Sequence, residues 1–338
     1  MQFGFFVRAQ YPRHEDMALR IHDLFEQARR ADELGFDAIF AGMHYASYPL
    51  WMPQLLPFLA RLSGETKRAR LVAGLVLIPL HKPIDVAEQI ATIDVMSGGR
   101  VVFGAGLGYR DVEFKAFGTA AADKSRRFAE NLEAIVRLWK EDHVTLKGSH
   151  FELDDASLSI KPLQKPHPPI WIGANADGAV RRAAKLADSW FINPHQRTET
   201  IARQIAVYRR ALAELGKPFP RELPLMRETF VARTREQAIR IARPYLEEKY
   251  RVYRQWGQDK AMPGDETQGF SADFDELAHD RFLIGTPDDV AAAILDYRHR
   301  LGVTMICASM HWVGMPQGQA LDAMQLFAEE VMPKTASA

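Results

Sequence analysis

A single cysteine, Cys307, stands in 338 residues, and that scarcity excludes an internal disulfide framework. Net charge is equally absent. The chain sets 43 Lys and Arg against 43 Asp and Glu, so no surplus of either sign points to a nucleic acid or a membrane surface as partner. No apolar run approaches the roughly 18 residues of a spanning helix. The opening MQFGFFVRAQYPRHEDMA carries neither a basic leader nor a cleavage pattern, and the expected compartment is the cytoplasm. Histidines at i and i+4 are missing, no Cys/His set has zinc spacing, and the carboxylates are scattered, so no metal site is expected. There is no Gly-x-Ser-x-Gly elbow, and Cys307 lies inside an apolar strand-like run. Hydrolase chemistry has no support.

What the chain does contain is a rhythm. Short apolar runs at 2–7, 37–41, 70–78, 101–105, 170–172, 189–192, 225–231 and 303–309 read as strands. Amphipathic runs at 17–34, 52–62, 84–96, 124–140, 178–186, 199–215, 235–255 and 318–331 read as helices between and after them. Alternating βα units imply a parallel sheet, and the runs at 70–78 and 101–105 are apolar throughout, as strands buried on both faces are. The predicted fold class is therefore α/β, a single (β/α)8 TIM barrel spanning 1–338, ahead of an open doubly wound sheet. Two insertions interrupt it. Residues 143–169, after the fourth helix, read as a hairpin with an extended arm, and 257–281, after the seventh, as an irregular polar stretch.

In such a barrel, chemistry sits on loops leaving the C-terminal ends of the strands. His44 follows the second strand and precedes Tyr45, Tyr48 and Trp51, a setting for a general acid/base or a polar hydrogen bond to a ligand. A bond from His44 to a nearby backbone carbonyl is the plainer alternative. His81, His195 and His311 fall at other strand exits, where each reads as a loop histidine on its own. The turn Gly173, Ala174, Asn175, Ala176 precedes a helix opening near Asp177, a geometry suited to an anion, with Arg181 and Arg182 in reach. An ordinary βα turn would use the same small residues. Glycines 104, 106 and 108 are spaced G-x-G-x-G, which fails the dinucleotide pattern, and the residues after Tyr109 are not expected to open a helix. Gly98 or Gly99 is expected to stop the preceding helix, and Gly104 to permit close strand packing.

Taken together, ELGFDAIFAGMHY, PLHKPIDVAEQIATIDVMSGGRVVFGAGLGYRDVEFKAFG, PPIWIGANADGAVRRAAKLADSW, GTPDDVAAAI and AMQLFAEEVMP, in this order, resemble the bacterial luciferase-like flavin-dependent monooxygenases over nearly the whole chain. The resemblance implies a barrel that takes reduced FMN from a separate NAD(P)H flavin reductase. Dioxygen adds at flavin C4a, and the peroxyflavin oxidises a small, partly apolar substrate. It places His44 near the reactive flavin edge and a cis peptide at Gly74-Leu75 beneath the ring. It sets Gly106 along the ring, Gly173, Ala174, Asn175 and Ala176 at the phosphate, and Ser189 and Trp190 beside the cofactor. A mouth lined by Phe6, Tyr45, Trp51 and Trp190 is expected, with Tyr45, Trp51, Tyr109 and His311 facing substrate; the sequence itself shows no charge cluster there, which points to a partly apolar small molecule unless an arginine or histidine of 257–281 enters the site. The resemblance further implies a homodimer and a mobile lid at 257–281. Two departures stand out. Luciferases have Glu-His-His where this chain has Met43-His44-Tyr45, and their phosphate-binding arginine falls at Leu107, so Arg110 or a backbone amide is expected to serve. Light emission is not implied. The alternatives on the same fold are a deazaflavin-dependent oxidoreductase transferring hydride and a non-catalytic flavin-binding or partner subunit.

Overall fold

The strands form where β-branched, aromatic and small residues run together, and both their faces are covered. In a computed structural model describing residues 1–263, 270 and 273–336, nine of them make one parallel sheet. They are β1 (Gln2–Val7), β2 (Ala38–Ala41), β3 (Arg70–Leu77), β4 (Val101–Gly106), β5 (Ile170–Gly173), β6 (Ser189–Phe191), β7 (Pro224–Val231), β8 (Leu283–Gly285) and β9 (Met305–Ser309). Their order is β6-β5-β4-β3-β2-β1-β9-β7-β8. The sheet curls until Ile192, just beyond β6, pairs in parallel with Leu225 of β7. Because side chains alternate along a strand, each strand feeds two cores. Phe6, Phe40, Val72, Val102, Trp171, Phe191, Met226 and Cys307 meet inside the curl, while Phe5, Ile39, Leu71, Phe103, Ile172, Trp190 and Ile306 pack outward.

The helices include α1 (Met17–Glu33), α2 (Leu55–Glu65), α3 (Pro83–Met96), α4 (Asp111–Ala116), α5 (Lys124–Lys140), α6 (Asp177–Leu186), α7 (Thr198–Glu214), α8 (Arg235–Gln255), α9 (Phe274–Ala278), α10 (Pro287–Asp296) and α11 (Gln317–Leu326), and α4 sits at the C-terminal ends of the strands. Both Gly98 and Gly99 stop α3, with φ of +70° and +81°. A Cβ on Gly104 would lie 2.1 Å from the Ala73 carbonyl oxygen, which accounts for glycine in the middle of β4.

Three elements depart from expectation. The second helix starts at Leu55 and not at 52, because Pro53 turns Met52 away from helical geometry and Trp51 pairs instead with Tyr11 in a two-residue ribbon. The residues after Tyr109 do open a helix, α4, with Asp111 and Glu113 in its first turn. The ninth strand, β8, borders only the outer end of β7 and leads into α10 through a capping box of Thr286 and Asp289. Between α5 and β5 the chain forms an antiparallel ribbon of Val144–Lys147 with Glu152–Ala156. Part of the stretch expected as a lid, 264–269 and 271–272, lies outside the described residues. Among the described residues, no helix is long and apolar enough to cross a membrane.

Candidate functional site

The C-terminal ends of the strands open on a cavity of about 360 Å³. His44 lines it from the loop after β2, its Nδ1 lying 3.2 Å from Glu113 Oε1 on α4. Glu113 is fully buried, accepts a 3.0 Å bond from the Tyr45 amide and lies 3.6 Å from Arg110 Nη1. A carboxylate so anchored accepts from Nδ1–H, which leaves Nε2 as the nitrogen that accepts a proton in the neutral ring. Trp256 and Tyr109 stand edge-on to the imidazole at 5.1 and 5.6 Å between ring centres. Sequence reasoning missed Glu113 because 69 residues separate it from His44. The signal was available as an acidic first turn, had the helix been recognised.

A second part of the lining combines small residues, a helix start and basic side chains. Gly173, Ala174, Asn175 and Ala176 all face the cavity, and α6 begins directly after them with no side chain capping its first turn. The Asp177 carboxylate is drawn away by Arg203 at 2.7 Å and Gln204 at 3.0 Å, so it does not compete there. Gln196 and Gln204 donate to the Asn175 carbonyl at 3.0 and 2.6 Å, fixing the turn. Arg182 reaches the cavity from α6; its Nε is buried without a hydrogen-bond partner, and burial lowers the guanidinium below its ordinary pKa. Lys124 of α5 lines the cavity as well. Arg110, expected to replace the arginine missing at Leu107, does not reach it. Its guanidinium donates to the Tyr45 and Ala46 carbonyls at 2.7 and 3.1 Å and stacks 4.3 Å over Trp256, because α4 turns it back toward the β2 loop.

The wall between these regions is apolar and closely fitted. Phe6, Gly74, Leu75, Gly106 and Tyr109 line it, and the Gly74-Leu75 peptide is cis. A Cβ on Gly106 would meet the Leu75 side chain at 3.1 Å, so the space this glycine leaves is taken by Leu75. Five expected residues lie off the cavity. Trp190 points outward, wholly buried, with its indole donating to the Ala174 carbonyl at 3.1 Å, and the alternation of β6 puts Phe191 on the cavity instead. Ser189 begins the strand and does not end it, and its hydroxyl donates to the Glu222 carbonyl at 2.6 Å. Tyr45 turns to His81 at 3.1 Å over an adjoining cavity of about 210 Å³. Trp51 lies at the surface, bonded to the Arg13 carbonyl at 2.9 Å. His311 contacts the Met315 carbonyl at 3.1 Å, and burial pushes its pKa down to about 4.

The expectation of a site without a charge cluster is overturned. Arg8, just after β1, and Lys249, on α8, line the cavity together with Gln10, Tyr253 and His195. Glu228 of β7 lies between the two cations, 3.6 Å from Arg8 and bonded to Lys249. Burial works against the Glu228 carboxylate, but the Lys249 and Arg8 charges outweigh it and hold it below the usual range. Burial and Arg8 push Lys249 down to about 7, against the pull of Glu228. Burial, with the Lys249 and Arg8 charges, depresses His195 well below an ordinary histidine. Nothing in the local sequence around Arg8 or Lys249 announces this grouping, because each falls in a run that reads equally well as solvated.

The family model described as luciferase-like monooxygenase matches residues 1–305. The chain belongs to that family. Among relatives, the luciferase-like chain is 30% identical over 220 residues to the uncharacterized protein y4vJ of Sinorhizobium fredii, covering 64% of itself and 62% of that protein. It is 27% identical to the oxygenase component of a flavin-dependent trigonelline monooxygenase of Acinetobacter baylyi, over 76% of this chain and 72% of the other. It is also 25% identical to an F420-dependent glucose-6-phosphate dehydrogenase of Amycolatopsis mediterranei, over 92% and 94%. Among solved structures, the monooxygenase RslO1 of Streptomyces bottropensis superposes with a TM-score of 0.85 at 27% identity, covering 98% of this chain and 99% of that one. In this luciferase-like fold, the cavity with His44, Glu113 and Arg182 occupies the C-terminal side of the parallel sheet, where loop residues carry function.

Proposed function

We propose that the protein is a flavin-dependent monooxygenase that takes reduced FMN from a separate NAD(P)H flavin reductase and uses dioxygen to oxidise a small, partly apolar organic substrate. The cycle β1 to β7 plus β9 is read as a (β/α)8 barrel, with β8 as an appendage. The observation that carries the functional reading is that one cavity holds both a carboxylate-braced histidine and an anion corner with an unpartnered buried arginine nitrogen. The residues fit a phosphorylated flavin. Arg182, Lys124 and the uncapped start of α6 suit its phosphate, and Phe6, Leu75 and Phe191 offer an apolar wall to its rings. Bound there, a reduced flavin supplies the electrons that activate dioxygen. The apolar wall excludes water, the α6 corner orients the bound group, and His44 Nε2 holds or moves a proton at the cavity surface while Glu113 keeps the ring in place.

A second reading, a deazaflavin-dependent hydride transfer, is favoured by the extended match to the F420-dependent dehydrogenase. Fluorescence titration separates the two. Oxidised FMN, anaerobic reduced FMN and the deazaflavin coenzyme are each titrated into the purified chain, and oxygen uptake with reduced FMN is followed in parallel. Reduced FMN is expected to bind most tightly. Tight deazaflavin binding, with no preference for either FMN redox state, would overturn the first reading.

A further inference from the structure

The cavity is bordered by a constellation that the chemistry of His44 does not use. Arg8 and Lys249 line it at 3% and 1% exposure, and both turn to the same carboxylate oxygen, Glu228 Oε1. The second oxygen of Glu228 accepts from the Trp312 indole. Two cations therefore share one anion, and with both protonated the wall of the cavity holds an excess positive charge. A buried charge without a counter-ion is costly, and a bound anion removes that cost. Arg8 directs its donors to Ser309, Gln10 and Tyr253 inside the protein. Lys249 has three donors, one of which goes to Glu228; its ammonium sits about equally over the Tyr250 and Tyr253 rings, at 5.1 and 5.2 Å. Tyr253, Gln10 and His195 bring further hydrogen-bonding groups to the same lining.

We propose that Lys249, backed by Arg8, anchors a singly charged anionic oxygen group of the substrate, a carboxylate above all, so that the protein acts on partly apolar organic anions. The excess of one charge matches a monoanion, and Phe6, Met52, Phe191 and Met226 offer the apolar part of such a molecule its contacts. The oxidation of that substrate rests on the flavin reading above; its binding does not.

The site carries its own pH signature. The groups facing Lys249 are Glu228 from β7, Arg8 after β1, Tyr250 and Tyr253 on α8, and His195 after β6, with Arg227 and Arg281 beyond Tyr250. Arg8 is raised despite burial, Glu228 lowered, Tyr250 raised and His195 lowered. Those shifts leave Lys249 as the member that changes charge near neutrality, and anion affinity falls as pH rises past it.

The test uses the full chain and calorimetric titration with benzoate and cyclohexanecarboxylate, set against benzamide and cyclohexanecarboxamide, at about pH 6 and about pH 8.5, on either side of the Lys249 titration. Wild type, Lys249→Met and Lys249→Gln are compared, and FMN affinity is measured on each. At the lower pH the wild type is expected to prefer the carboxylates about tenfold, the scale of a charge-assisted hydrogen bond. The preference shrinks at the higher pH and disappears in both variants, while FMN affinity holds. Equal binding of acid and amide by the wild type, or a preference surviving in both variants, would overturn the proposal. Loss of FMN affinity in the variants with the carboxylate preference intact would assign the cluster to the flavin phosphate and overturn it equally. Failure of FMN to bind beside a Lys249-dependent carboxylate preference would remove the flavin reading and leave the anion site standing.

Discussion

His44 shows what a single residue acquires from its surroundings. An exposed imidazole rotates freely and exchanges its proton between two nitrogens, whereas Glu113, fully buried and fixed by the Tyr45 amide, holds this one at Nδ1. Replacing His44 with Ala is expected to lower turnover by about 10²–10⁴-fold, the range of a positioned acid/base. FMN affinity is expected to change far less; unchanged turnover would remove the residue from the reaction. Glu113→Gln keeps the shape and removes the charge. It is expected to lower kcat about tenfold, the scale of one charge-assisted hydrogen bond, with KM nearly constant. A fall in KM-linked binding with kcat intact would instead make Glu113 a scaffold for the loop. His44 was legible in the sequence because a polar residue at a strand end is conspicuous. Glu113 was not, since its relation to His44 exists only after the chain has folded.

At the scale of elements, α6 joins a turn of small residues to an uncapped first turn and to Arg182, one helical turn in. On the proposed flavin reading, this arrangement is expected to discriminate between FMN and riboflavin, which share their ring system and differ by the phosphate. Arg182→Leu is expected to weaken FMN binding about tenfold or more and to leave riboflavin binding near its wild-type value, measured by flavin fluorescence quenching. Equal loss for both ligands would show a packing defect in α6. The turn was readable from its Gly, Ala and Asn residues and their place after an apolar run. That Arg182 lines the cavity and Arg110 does not was not readable. It depends on α4, six residues long and too short to show a helical period, whose orientation turns Arg110 toward the Tyr45 and Ala46 carbonyls.

At the scale of the whole molecule, the curl of the sheet and the placement of α8 bring Arg8 and Lys249 to one wall of one cavity, with Glu228 paired to both behind it. The buried charge cluster that results has a consequence for stability. In the unfolded chain Lys249 keeps its proton up to its ordinary value of 10.5, while in the folded chain it loses it near 7. Between those values the unfolded state binds more protons, so the contribution of Lys249 to stability rises with pH; below about 7 its full burial cost is felt. Denaturant unfolding of wild type and Lys249→Met across this window is expected to show wild type gaining on the variant, by at most about 1.4 kcal/mol per pH unit. A difference that stays flat would mean that Lys249 titrates at its ordinary value in the fold.

Sequence by itself determined the parallel α/β layout, because apolar runs of strand length alternating with amphipathic helices have few ways to bury both kinds of face. It also singled out His44 and the turn after β5 at strand ends, and both line the cavity. Only the tertiary structure decided which side of β6 faces the cavity, since a shift of one residue exchanges Trp190 for Phe191. The folded chain alone likewise decided that Tyr45, Trp51 and His311 turn away, and that Arg8, Glu228 and Lys249 meet. Periodicity reports which residues are buried, and it is silent on which distant residues are buried together.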